Sequence, residues 1–422
     1  MPELSLTPSQ MIALQKLSES RRSLFVTGGA GTGKSYLMRR FLGSLFTSPK
    51  KTAVLASTGA AAILLGGRTF HSFFGLGILS GGPSAVLAKA AENKRLKKRL
   101  KDVETVVIDE VSMLSGEAFD TAEAVARLCR ESAEPWGGLR VVAVGDFFQL
   151  PPVSRTPQKD WAFLSDAWEA SDFEVCDLQE VVRTEDADYL EVLNAIRQGV
   201  VNDQVREFLD AHVREESDEE VTHLFSRRDH TELFNRRRLA EIDDQLHLIE
   251  TEYRGQPQAL ETLKREAPIG PEVALKRGAF VMLRMNDPKQ RYVNGSTATV
   301  RAVHADSVSV DVDGRRLEIE KFTFSVQNAD GEMVAEARNF PLSLAYASTI
   351  HKIQGATLPK AHVDLGQIWE PGQSYVALSR VRRARDLSLA RWSEAAIKAD
   401  PDVQLFYSRF GGLATQIALK HR

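Results

Sequence analysis

The chain has 422 residues, a formal net charge of −3, 43% apolar and 26% charged residues. That length is enough for two to four compact units with sizeable cores, and the near-neutral balance excludes a uniformly basic coat for binding nucleic acid. The opening Met1-Pro2-Glu3 lacks a basic region followed by an apolar one, and the uncharged run 52–67 is too short and too rich in Ser, Thr and Gly to span a bilayer. A soluble cytoplasmic protein with no membrane partner is expected. Cys129 and Cys176 show no metal-type spacing and are expected to be inert core residues in a reducing compartment.

In chain order, apolar runs at 23–26, 53–56, 103–108 and 141–144 are each followed by a polar loop and a helical pattern. This alternation predicts a parallel sheet flanked by helices. The loops TGGAGTGKS, STGAAA, DEVSM and GDFFQLPP leave the carboxyl ends of these runs, the edge where open parallel sheets bind ligands. The first loop, from Gly28 to Ser35, fits GxxxxGK[ST]. Backbone N–H groups around Gly29, Gly31, Thr32 and Gly33 would wrap the phosphates of ATP. Lys34 would reach the β and γ phosphates, and the Ser35 hydroxyl would bind Mg²⁺. The helical pattern at 36–45 argues against a merely flexible glycine loop. Asp109, at a strand end, is the second candidate Mg²⁺ ligand, and Glu110 the group that polarises the attacking water. An apolar-DE pair alone reads as core edge plus surface acid; downstream of a P-loop it reads as hydrolytic. The basic stretch 94–101 reads as a solvated helix face.

The alternation resumes at 223–225, 343–347, 362–365 and 387–390, which predicts a second α/β unit. Between 292 and 326 the period changes to two, around His304-Ala305-Asp306 and Asp313-Gly314, so a small antiparallel barrel is expected there. Arg183 and Arg380 are candidates for the γ phosphate, because a permanently charged planar guanidinium suits developing phosphoryl charge. On chemistry alone, either arginine could equally be a solvated surface residue.

Together these blocks resemble the Pif family of superfamily-one DNA helicases, over nearly the whole chain. Leu6-Thr7-Pro8-Ser9-Gln10 is similar to the adenine-reading motif, with Gln10 as the base contact. Ser57-Thr58-Gly59-Ala60-Ala61-Ala62 and Thr69-Phe70-His71-Ser72-Phe73-Phe74-Gly75 resemble motifs that grip single-stranded DNA, which implicates Thr58, His71 and Phe73. GDFFQLPPV, preceded by Pro135-Trp136-Gly137-Gly138, resembles the third helicase motif and the Pif signature, with Gln149 as γ-phosphate sensor. The stretch 178–183, ending at Arg183, resembles motif four. Thr349-Ile350-His351-Lys352-Ile353-Gln354-Gly355 resembles motif five, with Thr349, His351 and Lys352 on DNA and Gly355 at the nucleotide; Tyr375-Val376-Ala377-Leu378-Ser379-Arg380 resembles motif six. Thr184 and Ile353 depart from the usual pattern.

Read from their own residue types, Thr58 could be a helix cap, His71 a packing residue, and some of Phe70, Phe73 and Phe74 core. The resemblance implies an α/β fold with two RecA-like parallel-sheet domains and an inserted antiparallel β-barrel of Src-homology type. The expected division is 1–181, with a small insert near 67–100, and 182–422, with the barrel near 290–340. It implies an ATP- and Mg²⁺-dependent helicase, monomeric in solution. Such an enzyme moves 5′ to 3′ on single-stranded DNA and opens forked or structured DNA in replication, repair or recombination. The segment 76–101 is the candidate wedge. The alternative is a P-loop ATPase that remodels protein or nucleoprotein partners without unwinding; the set Lys34, Asp109 and Glu110 opposes a non-catalytic DNA-binding module.

Overall fold

The computed structural model describes residues 5–44, 51–57, 68–77, 79, 81–153, 159–184, 186–215, 220–287, 289, 291–327 and 333–410. Six parallel strands, β1 Leu24–Gly28, β2 Thr52–Ala56, β3 Arg68–Thr69, β4 Thr105–Asp109, β5 Arg140–Val144 and β6 Glu174–Leu178, form the first sheet in the order β3-β2-β4-β5-β1-β6. Helices cover its faces, so its central strands are buried along almost their whole length and read as continuous apolar runs. The register pairs Val26 with Val144 and Ile108 with Ala143. The ends of β1, β5 and β4 therefore lie side by side, and the P-loop, Asp146 and Asp109-Glu110 leave one rim. The run-based reading passes over β6, whose EVCDL sequence is only partly buried, and over the two-residue β3.

In the region of the expected 67–100 insert, the helices Gly82–Glu92 and Lys94–Asp102 turn Val86, Ala90, Leu96 and Leu100 into the same core as Phe119 and Trp136. Lys94, Arg95 and Lys98 stay exposed, as a solvated face requires.

The second parallel sheet contains β7 Thr222–Phe225 and three later strands. Between them lies a run of antiparallel strands: β8 His247–Glu250, β9 Glu252–Gly255, β10 Glu272–Leu275, β11 Phe280–Leu283, β12 Thr297–Val303, β13 Ser307–Val312, β14 Arg315–Glu320, β15 Phe322–Gln327, β16 Met333–Asn339 and β17 Leu342–Leu344. Then β18 Ala347–Thr349, β19 Ala361–Asp364 and β20 Leu387–Arg391 complete the parallel sheet, in the order β18-β7-β19-β20.

The antiparallel strands build a five-stranded sheet β14-β13-β12-β11-β17, a three-stranded sheet β15-β16-β9 and the pair β10-β8. Their own core contains Val281, Leu283, Val300, Val310, Ile319, Phe340 and Leu342. Asp313 (φ 49°) and Gly314 (φ 77°) make the expected tight turn between β13 and β14.

Two features differ from the sequence expectation. The antiparallel region begins at His247 rather than near 290, because β8 and β9 are short edge strands of mixed polarity, HLIE and EYRG, with little period-two signal. The single apolar run 343–347 serves two sheets: Ser343 pairs with Met282 in the antiparallel sheet, and Ala347 pairs with His223 in the parallel one. A third feature has no motif behind it. The helix Pro401–Ser408, far along the chain, packs Val403, Phe406 and Tyr407 into the core of the first unit, with Phe406 stacked 4.4 Å from Phe163. This helix thus ties the two units together. Among the described residues, no helix is long and apolar enough to cross a membrane.

Candidate functional site

The P-loop turns sharply from β1 into the helix Lys34–Ser44. Gly31 and Gly33 adopt φ of 84° and 83°, open to glycine but strained for other residues. A Cβ at Gly33 would also lie 2.4 Å from the Gln10 amide nitrogen. Gln10 is buried and spends its side chain locally: Nε2 donates to the Thr32 carbonyl at 2.8 Å, and Oε1 accepts from the Thr7 N–H at 3.1 Å. Here Gln10 braces the P-loop rather than offering its amide outward to a base.

Lys34 Nζ donates to the Gly28 carbonyl at 2.7 Å and the Gly29 carbonyl at 3.1 Å, at the mouth of the loop. Burial pushes its pKa down, while the carboxylates of Asp146 and Glu110 pull it up. Thr32 is buried, and Ser35 lies exposed in the first turn of the helix. Asp109 ends β4, and its Oδ1 accepts the Glu110 N–H at 3.0 Å. Its carboxyl is pushed up to about 7, first by burial and then by the neighbouring Glu110 charge. Glu110 itself holds φ 53°, a left-handed conformation costly for a non-glycine residue. Its carboxylate meets the second unit, where Oε2 accepts from Gln354 Nε2 at 3.0 Å. A Cβ on Gly355 would come within 3.8 Å of the other Glu110 oxygen.

Further contacts cross between the units or brace those that do. Asp146, fully buried, is held by Arg197 Nη2 at 2.8 Å and Nε at 3.2 Å. Its Oδ2 also takes Gln149 Nε2 at 3.4 Å. The Arg197 guanidinium stacks 4.6 Å over Phe148. Tyr407 Oη meets Thr27 Oγ1 at 2.7 Å, and Tyr375 Oη accepts the P-loop N–H of Ala30 at 2.6 Å. Arg183 lies against Gly31, and its Nη1 donates to the Ser379 carbonyl at 2.7 Å, one residue before Arg380.

On sequence, Arg380 is a candidate for γ-phosphate contact, with a solvated surface residue as the alternative. It is instead buried within its own unit. Nε donates to the Val376 carbonyl at 2.6 Å, Nη1 to Ala356 at 3.2 Å and Ile353 at 3.4 Å, and Nη2 to Ser379 Oγ at 2.7 Å. Of five guanidinium N–H groups, one remains. Arg380 therefore clamps the motif-five loop that carries Gln354 and Gly355 against Glu110. Burial and the Arg183 charge push its pKa down to about 9.

The expected DNA-facing residues divide. Thr58 lies outside the described residues. His71 is half-buried on the helix Phe70–Phe74. Phe73, expected to stack on bases, is 3% exposed and packs edge-on against Phe74 at 5.0 Å, with Arg99 over its face; the ring belongs to the core. Thr349 is buried and its hydroxyl accepts the Lys352 N–H at 3.3 Å, fixing the turn His351–Ile353. His351 and Lys352 are solvent-accessible yet crowded by surrounding protein, which holds both below their ordinary pKa. Both cysteines are buried and free, as expected.

Sequence reading missed Gln354, Asp146, Arg197, Tyr375 and Tyr407. Gln354, Asp146 and Tyr375 sit inside recognised blocks and were passed over for their neighbours. Arg197 and Tyr407 stand in ordinary helices, and only the tertiary fold brings them to the site.

The family model for PIF1-like helicases matches residues 6–207. The chain is 50% identical over 413 residues to the ATP-dependent DNA helicase Pif1 of Bdellovibrio bacteriovorus, covering 97% of this chain and 93% of that protein. It is 35% identical over 424 residues to human ATP-dependent DNA helicase PIF1, covering 96% of this chain but spanning only 64% of the human protein. The crystal structure of Bacteroides sp Pif1 in complex with ADP-AlF4 matches with a TM-score of 0.84 at 26% identity, over 98% of each chain. A P-loop and an acidic strand end on one parallel sheet, faced by motif-five and motif-six residues of another, thus occur in a chain that belongs to the PIF1-like helicase family.

Proposed function

We propose that ATP binds between the two parallel-sheet units and that its hydrolysis moves single-stranded DNA through them in the 5′-to-3′ direction. The observation that carries this is the Gln354–Glu110 bond, which joins the hydrolytic carboxylate to the loop that also presents His351 and Lys352. Phosphate state and DNA grip then act on one short segment. Lys34 and the loop amides bind the β and γ phosphates, Glu110 takes a proton from the attacking water, and Arg183 and Arg380 stabilise the closed arrangement. Forked or structured DNA is the proposed duplex substrate and a monomer the proposed active form. Both rest on the family resemblance, as does the direction of travel.

Ser35 and Asp109 suit Mg²⁺, which needs only one or two protein oxygens beside those of the phosphates. A bound cation would supply charge neutralisation at the β and γ phosphates and relieve the unfavourable charge on Asp109.

That charge has a stability consequence. The Asp109 carboxyl has an ordinary pKa of 3.8 and is held at about 7 in the fold. The folded state binds this proton more tightly than the unfolded chain, so the group weakens the fold progressively as pH rises from about 4 to about 7. Asp109→Asn should raise the metal-free thermal midpoint at pH 8 by a few degrees, by less at pH 5, while abolishing Mg²⁺-dependent hydrolysis. A midpoint lowered at pH 8 would show that the carboxylate is a stabilising group.

DNA affinity should fall with salt, each phosphate contact adding about −0.7 to the log–log slope on a single strand, with little dependence on base sequence. Titration of fluorescent oligonucleotides at several salt concentrations measures it. A salt-independent affinity rules out a grip through phosphates.

A further inference from the structure

We infer that the Tyr375 hydroxyl is a ligand for the terminal phosphate, supplied across the cleft by the second unit and distinguishing a nucleoside triphosphate from a diphosphate. The inference rests on the nucleotide site proposed above.

Tyr375 belongs to the helix Gln373–Leu378, every residue of which is buried. Its neighbours Val376, Ala377 and Leu378 share the core of the second unit with Leu224, Val363 and Leu389. The helix starts at Gly372, where φ is 77° and a Cβ would lie 2.4 Å from the Gln149 carbonyl, so it is docked tightly on the GDFFQ loop. From this base the phenol reaches into the first unit. Its oxygen accepts the Ala30 N–H at 2.6 Å and would lie 3.2 Å from a Cβ on Gly29. Lys34 Nζ binds the carbonyl of the same Gly29. The hydroxyl and the ammonium therefore flank the same loop residue, at the end of the cradle that Lys34 serves, where the β and γ phosphates belong.

The hydroxyl also has the right proton to give. Its oxygen already accepts from Ala30, and among the described residues its own O–H has no acceptor. Burial, followed by the Asp146 charge, pushes its pKa up to about 12, so it is a donor at any working pH. A γ-phosphate oxygen is a charged acceptor, and a hydrogen bond to a charged group is among the stronger ones. A diphosphate ends short of it.

Tyr375→Phe keeps the ring and removes only the donor. The test is the affinity of the full chain for ADP and for a non-hydrolysable ATP analogue, by calorimetry, with Lys34→Ala alongside. The expected result is an analogue affinity lowered about tenfold, as for one lost hydrogen bond to a charged acceptor, with ADP affinity unchanged; the latter also reports an intact fold. Equal weakening of both nucleotides, or no change in either, overturns the inference. Tighter analogue binding overturns it too, by showing that the hydroxyl competes with phosphate for the Ala30 amide. Unchanged analogue binding by Lys34→Ala would instead sink the nucleotide site itself.

Discussion

Glu110→Gln is expected to bind ATP and DNA as the parent does and to hydrolyse ATP more slowly by a factor of about a hundred to ten thousand, the usual contribution of a positioned general base. The amide keeps the size of the side chain and its left-handed backbone, and one of its atoms can still accept from Gln354. Only the capacity to take a proton disappears. Lys34→Ala fails earlier: it removes the ammonium now bound to the Gly28 and Gly29 carbonyls, and with it the mobile cation of the cradle. Nucleotide affinity and hydrolysis should fall together. Single-turnover hydrolysis beside equilibrium nucleotide binding separates the two variants. Hydrolysis by Glu110→Gln at the parent rate would remove Glu110 as the base.

The second large effect is expected at Arg380. Arg380→Ala should lower hydrolysis by on the order of a thousandfold, as loss of an arginine finger does elsewhere, and it should also lower the thermal midpoint. The second effect follows from its four acceptors: the Val376, Ile353 and Ala356 carbonyls and Ser379 Oγ would lose a buried donor, and a stranded buried acceptor costs about 1–3 kcal/mol. The loop carrying Gln354 would then loosen against Glu110. Arg380→Lys should rescue little, because one ammonium with three donors cannot replace a planar fork. Arg383, three residues on and exposed, is the control, and its alanine form should lose almost nothing. Equal modest losses at both positions would leave Arg183 as the remaining candidate for direct phosphate contact.

Much of this architecture is legible in the sequence because buried parallel strands cannot alternate. β1, β4 and β5 read as continuous apolar runs, and the chemistry-bearing loops follow them directly. The same logic loses β8 and β9, short edge strands with no fully buried residue, whose sequences HLIE and EYRG contain no apolar run of the kind that marks the parallel strands. It also assigns a single role to 343–347, where the chain passes from one sheet to another within a few residues.

At the site, motif reading singles out Lys34, Asp109 and Glu110, which the fold places on one rim because each lies at or shortly after the end of a buried parallel strand. It overreads Phe73: an aromatic in a DNA-gripping block can serve either as a stacking platform or as core, and only burial decides. It underreads the cross-unit contacts. Arg197 reaches Asp146 from 51 residues away and Tyr407 reaches Thr27 from 380, and neither separation leaves a periodic trace.

In the proposed function, ATP hydrolysis is governed by the fit of the second unit against the P-loop, and DNA sets this fit. Steady-state hydrolysis of the full chain, with and without single-stranded oligonucleotide, tests it most directly. The expected result is a slow basal rate, strong stimulation by single-stranded DNA, and loss of that stimulation in Gln354→Ala, whose bond to Glu110 links the proposed DNA-side loop to the proposed general base. A rate indifferent to DNA, or full stimulation in Gln354→Ala, would contradict it.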